Sequence, residues 1–361
     1  VLVAEGATEI DCVVVHIENR QEEKALNIAL NKAVGEWEPV ALADLLSDLK
    51  ISGYDVDVTG FDAAEVDDLF SQVHDKDVKE DNFDVGAELK QPCFSRMGDV
   101  WHLGRHTVIC GDTTLPETFE RLLGDTKVNL VCTDAPYFVE LKNKSGTIAN
   151  DDLNDKQAYE FLMKCFTNFK NAMAKDASIY EFYATMKTRV FYDAFEDAGF
   201  KVGAGLVWKK PRAPLMRTDW KFNMEPIIWG WRKDGKHIWY GDQKQTSVFE
   251  FDGIKDSEKE GFGHPSSKPV PLIAYLIKQC TQTNGLVLDG FLGSASTLIA
   301  CEEINRSCFG VEIEPKFVDV AVKRYVHYHD GQTEDVYLMR DGQRMSFEEA
   351  MAEMQESANG S

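Results

Sequence analysis

Two short stretches combine carboxylates, a stiff turn and small residues at spacings that chemistry can use. In Asn129-Leu-Val-Cys-Thr-Asp134-Ala135-Pro136-Tyr137 an apolar run stops on an acid, and a proline-stiffened turn leads on to an aromatic. A carboxylate fixed at a strand end can accept hydrogens from an amine, and the aromatic can stack on a planar ring. A plain strand-end turn accounts for the same residues, because Asp and Pro are turn formers. In Leu286-Val-Leu-Asp289-Gly290-Phe291-Leu292-Gly293-Ser294-Ala295-Ser296-Thr297 a second apolar run ends on an acid, and small residues feed straight into a helical pattern. Such residues let a ligand approach the backbone at a helix N-terminus. A third apolar run, Cys308 to Glu312, ends in an acid about 20 residues later, where a carboxylate that binds a ribose usually stands. The chain has neither GxGxxG nor GxxxxGK[ST]. A nucleoside-bearing cofactor without a pyrophosphate therefore fits better than a dinucleotide or a Walker-type nucleotide.

The elements that must position these residues alternate. Thr107–Cys110, Val128–Cys132, Ser178–Phe182, Val202–Trp208, Leu286–Leu288 and Cys308–Glu312 are apolar runs of strand length. Amphipathic helical patterns separate most of them, at Glu117–Leu123, Gln157–Ala172, Lys187–Ala198, Val270–Cys280, Thr297–Ile304 and Pro315–Tyr328. That alternation predicts a doubly wound, mostly parallel α/β sheet, with ligands at the carboxyl ends of its strands. Upstream, the β-branched run Ile10–Ile17 reads as a strand, and Glu22–Leu30, Val40–Leu49 and residues 62–72 read as helices, so the N-terminal part is expected to be a small α/β unit.

The 361 residues carry 39 Lys and Arg against 61 Asp and Glu, a formal charge of −22 that at first sight excludes nucleic acid. The charge is unevenly spread. Residues 1–100 hold 23 acids and 8 bases, and residues 330–361 hold 8 acids and 2 bases, while residues 201–250 carry 10 bases against 5 acids. A nearly neutral body with a basic strip lies between two acidic ends, so bound DNA is expected against the 201–250 region. A hydrophobic content of 43% with 28% charged residues describes a globular chain rather than a disordered one. No apolar run reaches the roughly 18 residues of a spanning helix, and no secretory signal is visible, so a cytoplasmic protein without membrane contact is expected. The eight cysteines form no CxxC pair and read as reduced, buried thiols.

The set Asp134-Ala-Pro-Tyr137, His264-Pro-Ser-Ser-Lys-Pro269 and Asp289-Gly-Phe-Leu-Gly-Ser-Ala-Ser-Thr297, in that order, resembles the amino-group DNA methyltransferases of the permuted β class. Their typical forms are DPPY, HPTxKP and DPFxGSGTT. The similarity runs from about Gly98 to Tyr328 and extends to Trp101–Asp112 and to Glu225-Pro-Ile-Ile-Trp-Gly-Trp231. Residues 10–72 are similar to the C-terminal part of a ParB-like domain, as in bacterial and phage ParB–methyltransferase fusions, on the stretches Ala29-Leu-Asn-Lys-Ala33, Gly35-Glu-Trp37, Leu46-Ser-Asp-Leu49 and Val58-Thr-Gly-Phe61. The half that would carry the ParB nucleotide-binding motifs is missing from the chain, which is therefore expected to begin inside a longer protein. The implied organisation is a ParB-like remnant over 1–74, an acidic linker over 75–97, a Rossmann-like class I methyltransferase domain over 98–329 with its recognition region near 209–263, and an acidic tail over 330–361.

The resemblance implies a cytoplasmic, bacterial or phage, adenine-specific DNA methyltransferase of the restriction-modification kind. It would take S-adenosylmethionine as cofactor, double-stranded DNA as partner and no metal, and would form a homodimer as this class often does. An aspartate opening the DAPY motif points to adenine rather than cytosine. Asp134 and the Ala135 carbonyl would accept the two hydrogens of the target amine, Pro136 would stiffen the turn, and Tyr137 would stack on the flipped base. The segment Phe138–Asp152 would close over it. For the cofactor, Phe291, Gly293, Ser294, Ala295 and Ser296 would pass beneath the methionine and ribose, and Asp289 belongs to the same turn. Glu312 would accept from the ribose hydroxyls and Asp112 from the adenine amine, while Ser266 and Lys268 would meet the methionine carboxylate. His264 serves equally as a capping or core histidine. Lys209, Lys210, Arg212, Arg217 and Lys221, interleaved with Trp208 and Trp220, would contact phosphates, although a solvated loop explains the same strip.

Ala135 stands for the first proline of DPPY, Gly290 for the usual proline and Ala295 for the second glycine of the cofactor turn, and Met224 stands where relatives usually show histidine. These departures leave open a catalytically silent module that binds DNA or a protein. Acidic ends that mimic DNA or bind a basic partner are a further alternative, resting on charge alone.

Overall fold

The computed structural model describes residues 16–17, 19–32, 35, 37–52, 54–74, 78–139, 142–143, 146–147, 151–211, 219–242, 244–251 and 267–359. The chain divides into two compact units, residues 1–73 and 74–361.

The described part of the first unit is helical. Helices α1 (Arg20–Lys32), α2 (Pro39–Ile51) and α3 (Ala63–His74) enclose Ala25, Ile28, Leu42, Leu46, Leu49 and Val66, apolar residues spaced three or four apart so that each helix turns one stripe inward. Asp62 and Glu65 cap the start of α3 reciprocally, each side chain accepting the other's backbone N–H at 2.8–2.9 Å. The expected strand Ile10–Ile17 falls mostly on residues that are not described. Residues 10–15 lie outside the described residues, and His16 and Ile17 form no strand.

The second unit is built on one sheet with the order β13-β12-β1-β2-β11-β10-β3-β6-β8-β7-β9 among the described residues. The strands are β1 (Val100–Leu103), β2 (His106–Cys110), β3 (Val128–Thr133), β6 (Met173–Phe182), β7 (Phe200–Lys209), β8 (Met224–Arg232), β9 (Val248–Glu250), β10 (Leu286–Asp289), β11 (Ser307–Glu312), β12 (Val336–Arg340) and β13 (Gln343–Ser346). A separate small pair joins β4 (Lys142–Asn143) to β5 (Gly146–Thr147). Strands β2, β11, β10, β3 and β6 run parallel as neighbours, and antiparallel strands extend this block at both ends. The helices α5 (Pro116–Leu123), α6 (Asp155–Ala172), α7 (Thr188–Asp197), α8 (Val270–Cys280), α9 (Ser296–Glu303) and α10 (Pro315–Tyr328) fall where the periodicity places them. Two buried clusters flank the sheet, one around Trp101, Ile273 and Leu298 and the other around Phe166, Phe169 and Phe195. This is the expected doubly wound α/β arrangement.

Connectivity sets the location of a ligand site. From β10 the chain crosses through α9 to β11 on one side, whereas from β3 it crosses through α6 to β6 on the other. The order therefore reverses between β10 and β3, and the crevice outside their carboxyl ends is the expected binding place.

Two boundaries read from composition are corrected. Of the expected acidic linker, residues 78–97 pack into the second unit and include the short helix α4 (Val85–Glu88). Asp81 takes the Arg324 guanidinium on both oxygens at 2.6 and 3.1 Å, Glu88 pairs with Lys323 at 2.6 Å, and the N–H groups of Phe94 and Ser95 donate to Asp319 at 2.9 Å each. Acids that look like solvated linker charge are counter-ions for α10. The expected acidic tail is likewise structural, since β12, β13 and a last helix, α11 (Phe347–Asn359), complete one edge of the sheet. Arg340 there forms a buried pair with Asp99 at 2.6 Å and donates to the Phe94 carbonyl at 2.8 Å.

Candidate active site

Four acids stand at the carboxyl ends of adjacent parallel strands: Asp112 after β2, Glu312 ending β11, Asp289 ending β10 and Asp134 after β3. The sheet thus gathers residues spread over two hundred positions of sequence.

Asp289 holds the turn that follows it. Its Oδ1 accepts from Thr133 Oγ1 at 2.8 Å and from the Phe291 N–H at 3.0 Å, and its Oδ2 accepts from Thr297 Oγ1 at 2.6 Å. Thr133 in turn accepts the Gly290 N–H at 3.1 Å, which ties the two strand ends together. Burial pushes the Asp289 carboxyl up to about 6 against the pull of these donors. These bonds make Asp289 the residue that holds the turn expected to carry the cofactor. The turn itself bends through Gly293 at φ 51° and Ala295 at φ 67°, the residue that caps α9. An alanine in this left-handed region costs about 1 kcal/mol relative to glycine, so the departure at 295 carries strain.

Glu312 accepts the Gly293 N–H on Oε2 at 2.7 Å and the Glu314 N–H on Oε1 at 2.9 Å. Burial raises its carboxyl to about 7, with both backbone donors opposing. Asp112 accepts the Thr114 N–H on Oδ1 at 2.8 Å. Phe291 packs at 6.0 Å from Phe161 and 6.4 Å from Phe169 between ring centroids, and Ser294 Oγ lies 2.9 Å from Ser267 Oγ. Ser296 is buried at the start of α9. Acids, a small-residue turn and an aromatic suit the hydroxyls, amine and sugar face of a nucleoside and would repel a phosphate, so these residues fit S-adenosylmethionine.

The second half of the site surrounds Asp134. Its Oδ2 accepts from the Lys268 ammonium at 2.5 Å, while Oδ1 is buried with no hydrogen-bond partner. Lys268 also lies 3.2 Å from Glu225 Oε2. Glu225 pairs further with Lys210 and accepts from the Tyr137 hydroxyl at 3.2 Å. Burial raises the Asp134 carboxyl, with Lys268 opposing, whereas Lys268 and Lys210 outweigh burial at Glu225 and hold it below the usual range. The Ala135 N–H donates to Glu181 Oε1 at 3.1 Å. Glu181 is fully buried in β6, and burial lifts its carboxyl well above the ordinary range. Tyr137 is half-buried and partnered through its hydroxyl.

The structure therefore brings together Asp112, Asp289, Phe291, Gly293, Ser294, Ala295, Ser296 and Glu312 on one side, and Asp134, Ala135, Pro136 and Tyr137 on the other. Lys268 reaches into the second group and pairs with Asp134, while the adjoining Ser267 meets Ser294 of the cofactor turn. Lys210 is engaged with Glu225 and lies over the Trp208 ring, and Lys209 pairs with Glu250 at the surface. Lys221 lies on an irregular segment beside Trp220, which is 84% exposed. Ser266, His264, Arg212 and Arg217 lie outside the described residues, as do residues 140–141, 144–145 and 148–150 of the expected closing segment Phe138–Asp152. Sequence reasoning missed Thr133, Glu181 and Glu225. Glu181 is a polar residue inside an apolar strand run, and Thr133 and Glu225 flank such runs, so a signal was available in all three.

Residues 128–323 match the model of the DNA methylase family, and residues 40–97 match a ParB-methyltransferase HTH domain. The chain is 26% identical over 225 residues to the type II methyltransferase M2.MboI of Moraxella bovis, covering 56% of this chain and 81% of that protein. It is 24% identical over 219 residues to the type II methyltransferase M2.DpnII of Streptococcus pneumoniae, covering 55% and 82%. Among solved structures, the cytosine-N4-specific PvuII DNA methyltransferase superposes with a TM-score of 0.52 at 16% identity, over 75% of this chain and 97% of that one. With the family match spanning more than half of its length, the site between β10 and β3 and the ordered motifs agreeing, the chain belongs to the DNA methylase family.

Proposed function

We propose that this protein transfers a methyl group from S-adenosylmethionine to the N6 amine of an adenine in double-stranded DNA. The observation that carries the reading is Asp134, held at the end of β3 with one oxygen clamped and the other a buried acceptor, next to the glycine turn of β10. When bound, S-adenosylmethionine supplies an electrophilic sulfonium methyl group.

The chain's own residues do the rest by position and electrostatics. An adenine amine is a weak nucleophile because its lone pair is delocalised into the ring. Asp134 Oδ1 and the Ala135 carbonyl accept its two hydrogens and direct that lone pair out of the ring plane. Tyr137, its hydroxyl fixed on Glu225, offers its ring to the base that has left the stack. Glu312 and Asp112 accept from the ribose and adenine of the cofactor, and the small residues after Asp289 let it approach the backbone. The basic strip around Lys221, Arg212 and Arg217 positions the duplex through its phosphates. A cytoplasmic setting and a homodimer complete the proposal. Among the described residues no helix is long and apolar enough to cross a membrane.

The test incubates the protein with unmethylated mixed-sequence DNA and methyl-labelled S-adenosylmethionine, then digests the DNA to nucleosides for mass spectrometry. Label in N6-methyladenine is expected, and Asp134→Ala is expected to abolish transfer while still binding cofactor. Label in N4-methylcytosine would refute the base assignment. Cofactor binding without any transfer would leave a silent binding module instead.

A further inference from the structure

The Lys268 side chain, 5% exposed, is surrounded by the catalytic half of the site. Its ammonium donates to Asp134 Oδ2, lies 3.2 Å from Glu225 Oε2, and sits 5.3 and 5.1 Å from the ring centres of Tyr137 and Phe182. The backbone on either side is pinned. Ser267 Oγ is 2.9 Å from Ser294 Oγ in the cofactor turn, and the Val270 N–H that opens α8 donates to Glu80 at 2.8 Å. The lysine therefore spans from the cofactor turn to the catalytic carboxylate. Asp134 Oδ1, the oxygen that Lys268 does not hold, is buried and accepts no hydrogen bond.

We propose that Lys268 is a positioning residue for Asp134: it clamps Oδ2, leaves Oδ1 alone to face the target amine, and keeps the carboxylate ionised once a base covers it. The inference rests on the methyl-transfer reading above and deepens it. A protonated Asp134 would present a hydrogen where the amine needs an acceptor, so the ionised form is the competent one. Asp134 is faced by Glu225 from β8, Glu181 from β6, Asp289 from β10 and Tyr137 from its own turn. Three of these are acids, and Lys268 is the cation set against them at Asp134. Burial by itself would discharge the lysine, but Asp134 and Glu225 outweigh it and raise its pKa, so Lys268 stays charged. Lys210 balances Glu225 from the far side, which leaves the Lys268 charge available to Asp134.

The experiment follows the Asp134 carboxyl directly, by 13C NMR of protein labelled at aspartate and assigned with Asp134→Asn. The titration midpoint is expected to rise by one unit or more in Lys268→Met. It should also rise, by less, in Lys268→Met/Glu225→Gln, which removes the second carboxylate that Lys268 contacts, itself an acid that raises the Asp134 pKa, and guards against simple misfolding. Lys268→Arg is expected to bring the midpoint most of the way back. In parallel, cofactor affinity is expected to stay within threefold, and the acid limb of the kcat profile for methyl transfer should move upward by the same interval as the midpoint. An unmoved midpoint in the folded double variant overturns the inference. So does a tenfold loss of cofactor affinity with an unmoved midpoint, which would place Lys268 on the cofactor's carboxylate. A shifted midpoint in a protein whose wild type transfers no methyl group upholds the clamp and sinks the proposed reaction.

Discussion

The backbone N–H of Ala135 donates to Glu181 Oε1 at 3.1 Å, and that bond explains why an alanine stands where the family motif has a proline. A proline has no N–H to give. Glu181 is fully buried, its Oε2 already lacks a partner, and Ala135 is the donor recorded on its other oxygen. The departure from DPPY and the buried glutamate are thus one feature. Ala135→Pro is expected to lower stability by about 1–3 kcal/mol in urea unfolding, the cost of orphaning a buried polar group. Adding Glu181→Met should recover most of that loss, because replacing both partners with apolar groups is close to neutral. An Ala135→Pro variant as stable as the wild type would show that the bond contributes nothing.

Gly290 departs from the family's proline for a different reason, which is steric. A Cβ at this position would lie 2.4 Å from Phe169 Cζ, 2.5 Å from its Cε1 and 3.1 Å from Thr113 Cγ2. Phe169 cannot swing aside, because it is fully buried among Phe119, Phe166 and Phe291. Gly290→Ala should therefore cost about 1–3 kcal/mol through overpacking. Phe169→Leu creates room at that point, so the double variant is expected to be no less stable than Phe169→Leu alone. Additive losses, measured as a double-mutant cycle of unfolding free energies, would contradict the contact.

These two positions also show what could be read beforehand. The parallel strands and their helices were legible because each carries an unbroken apolar run or a helical stripe, a local signal. Asp134, Asp289 and Glu312 were legible because they end such runs. The counter-charges were not, since Asp81 with Arg324 and Lys268 with Asp134 join residues more than one hundred positions apart. For the same reason residues 78–97 read as a linker and the segment after Asp330 as a tail, although Arg340 donates to the Phe94 carbonyl and joins the two. The backbone conformation of Ala295 was equally hidden, because an alanine gives no sign of a left-handed φ until the turn around it is built.

Glu312, proposed to accept from the cofactor's ribose, is expected to make cofactor binding depend on pH in the neutral range. Burial places its carboxyl at about 7, well above the free value of 4.5, so the folded protein holds a proton there that the unfolded chain has already released. Between those two values the folded state binds more protons, and this group's contribution to stability falls as pH rises from 4.5 through 7. The sign for binding is opposite. The ionised carboxylate is the better acceptor for ribose hydroxyls, so affinity for S-adenosylmethionine should increase over the interval in which stability declines. With a midpoint near 7 the ionised fraction grows about tenfold from pH 6 to pH 8, and the cofactor Kd is expected to tighten by about the same factor. Calorimetric titration of the wild type across pH 5.5–8.5 measures it, with Glu312→Ala as the control expected to bind weakly and without that slope. A wild-type Kd that does not change over this range would mean that Glu312 is already ionised before the cofactor arrives, held so by the N–H groups of Gly293 and Glu314.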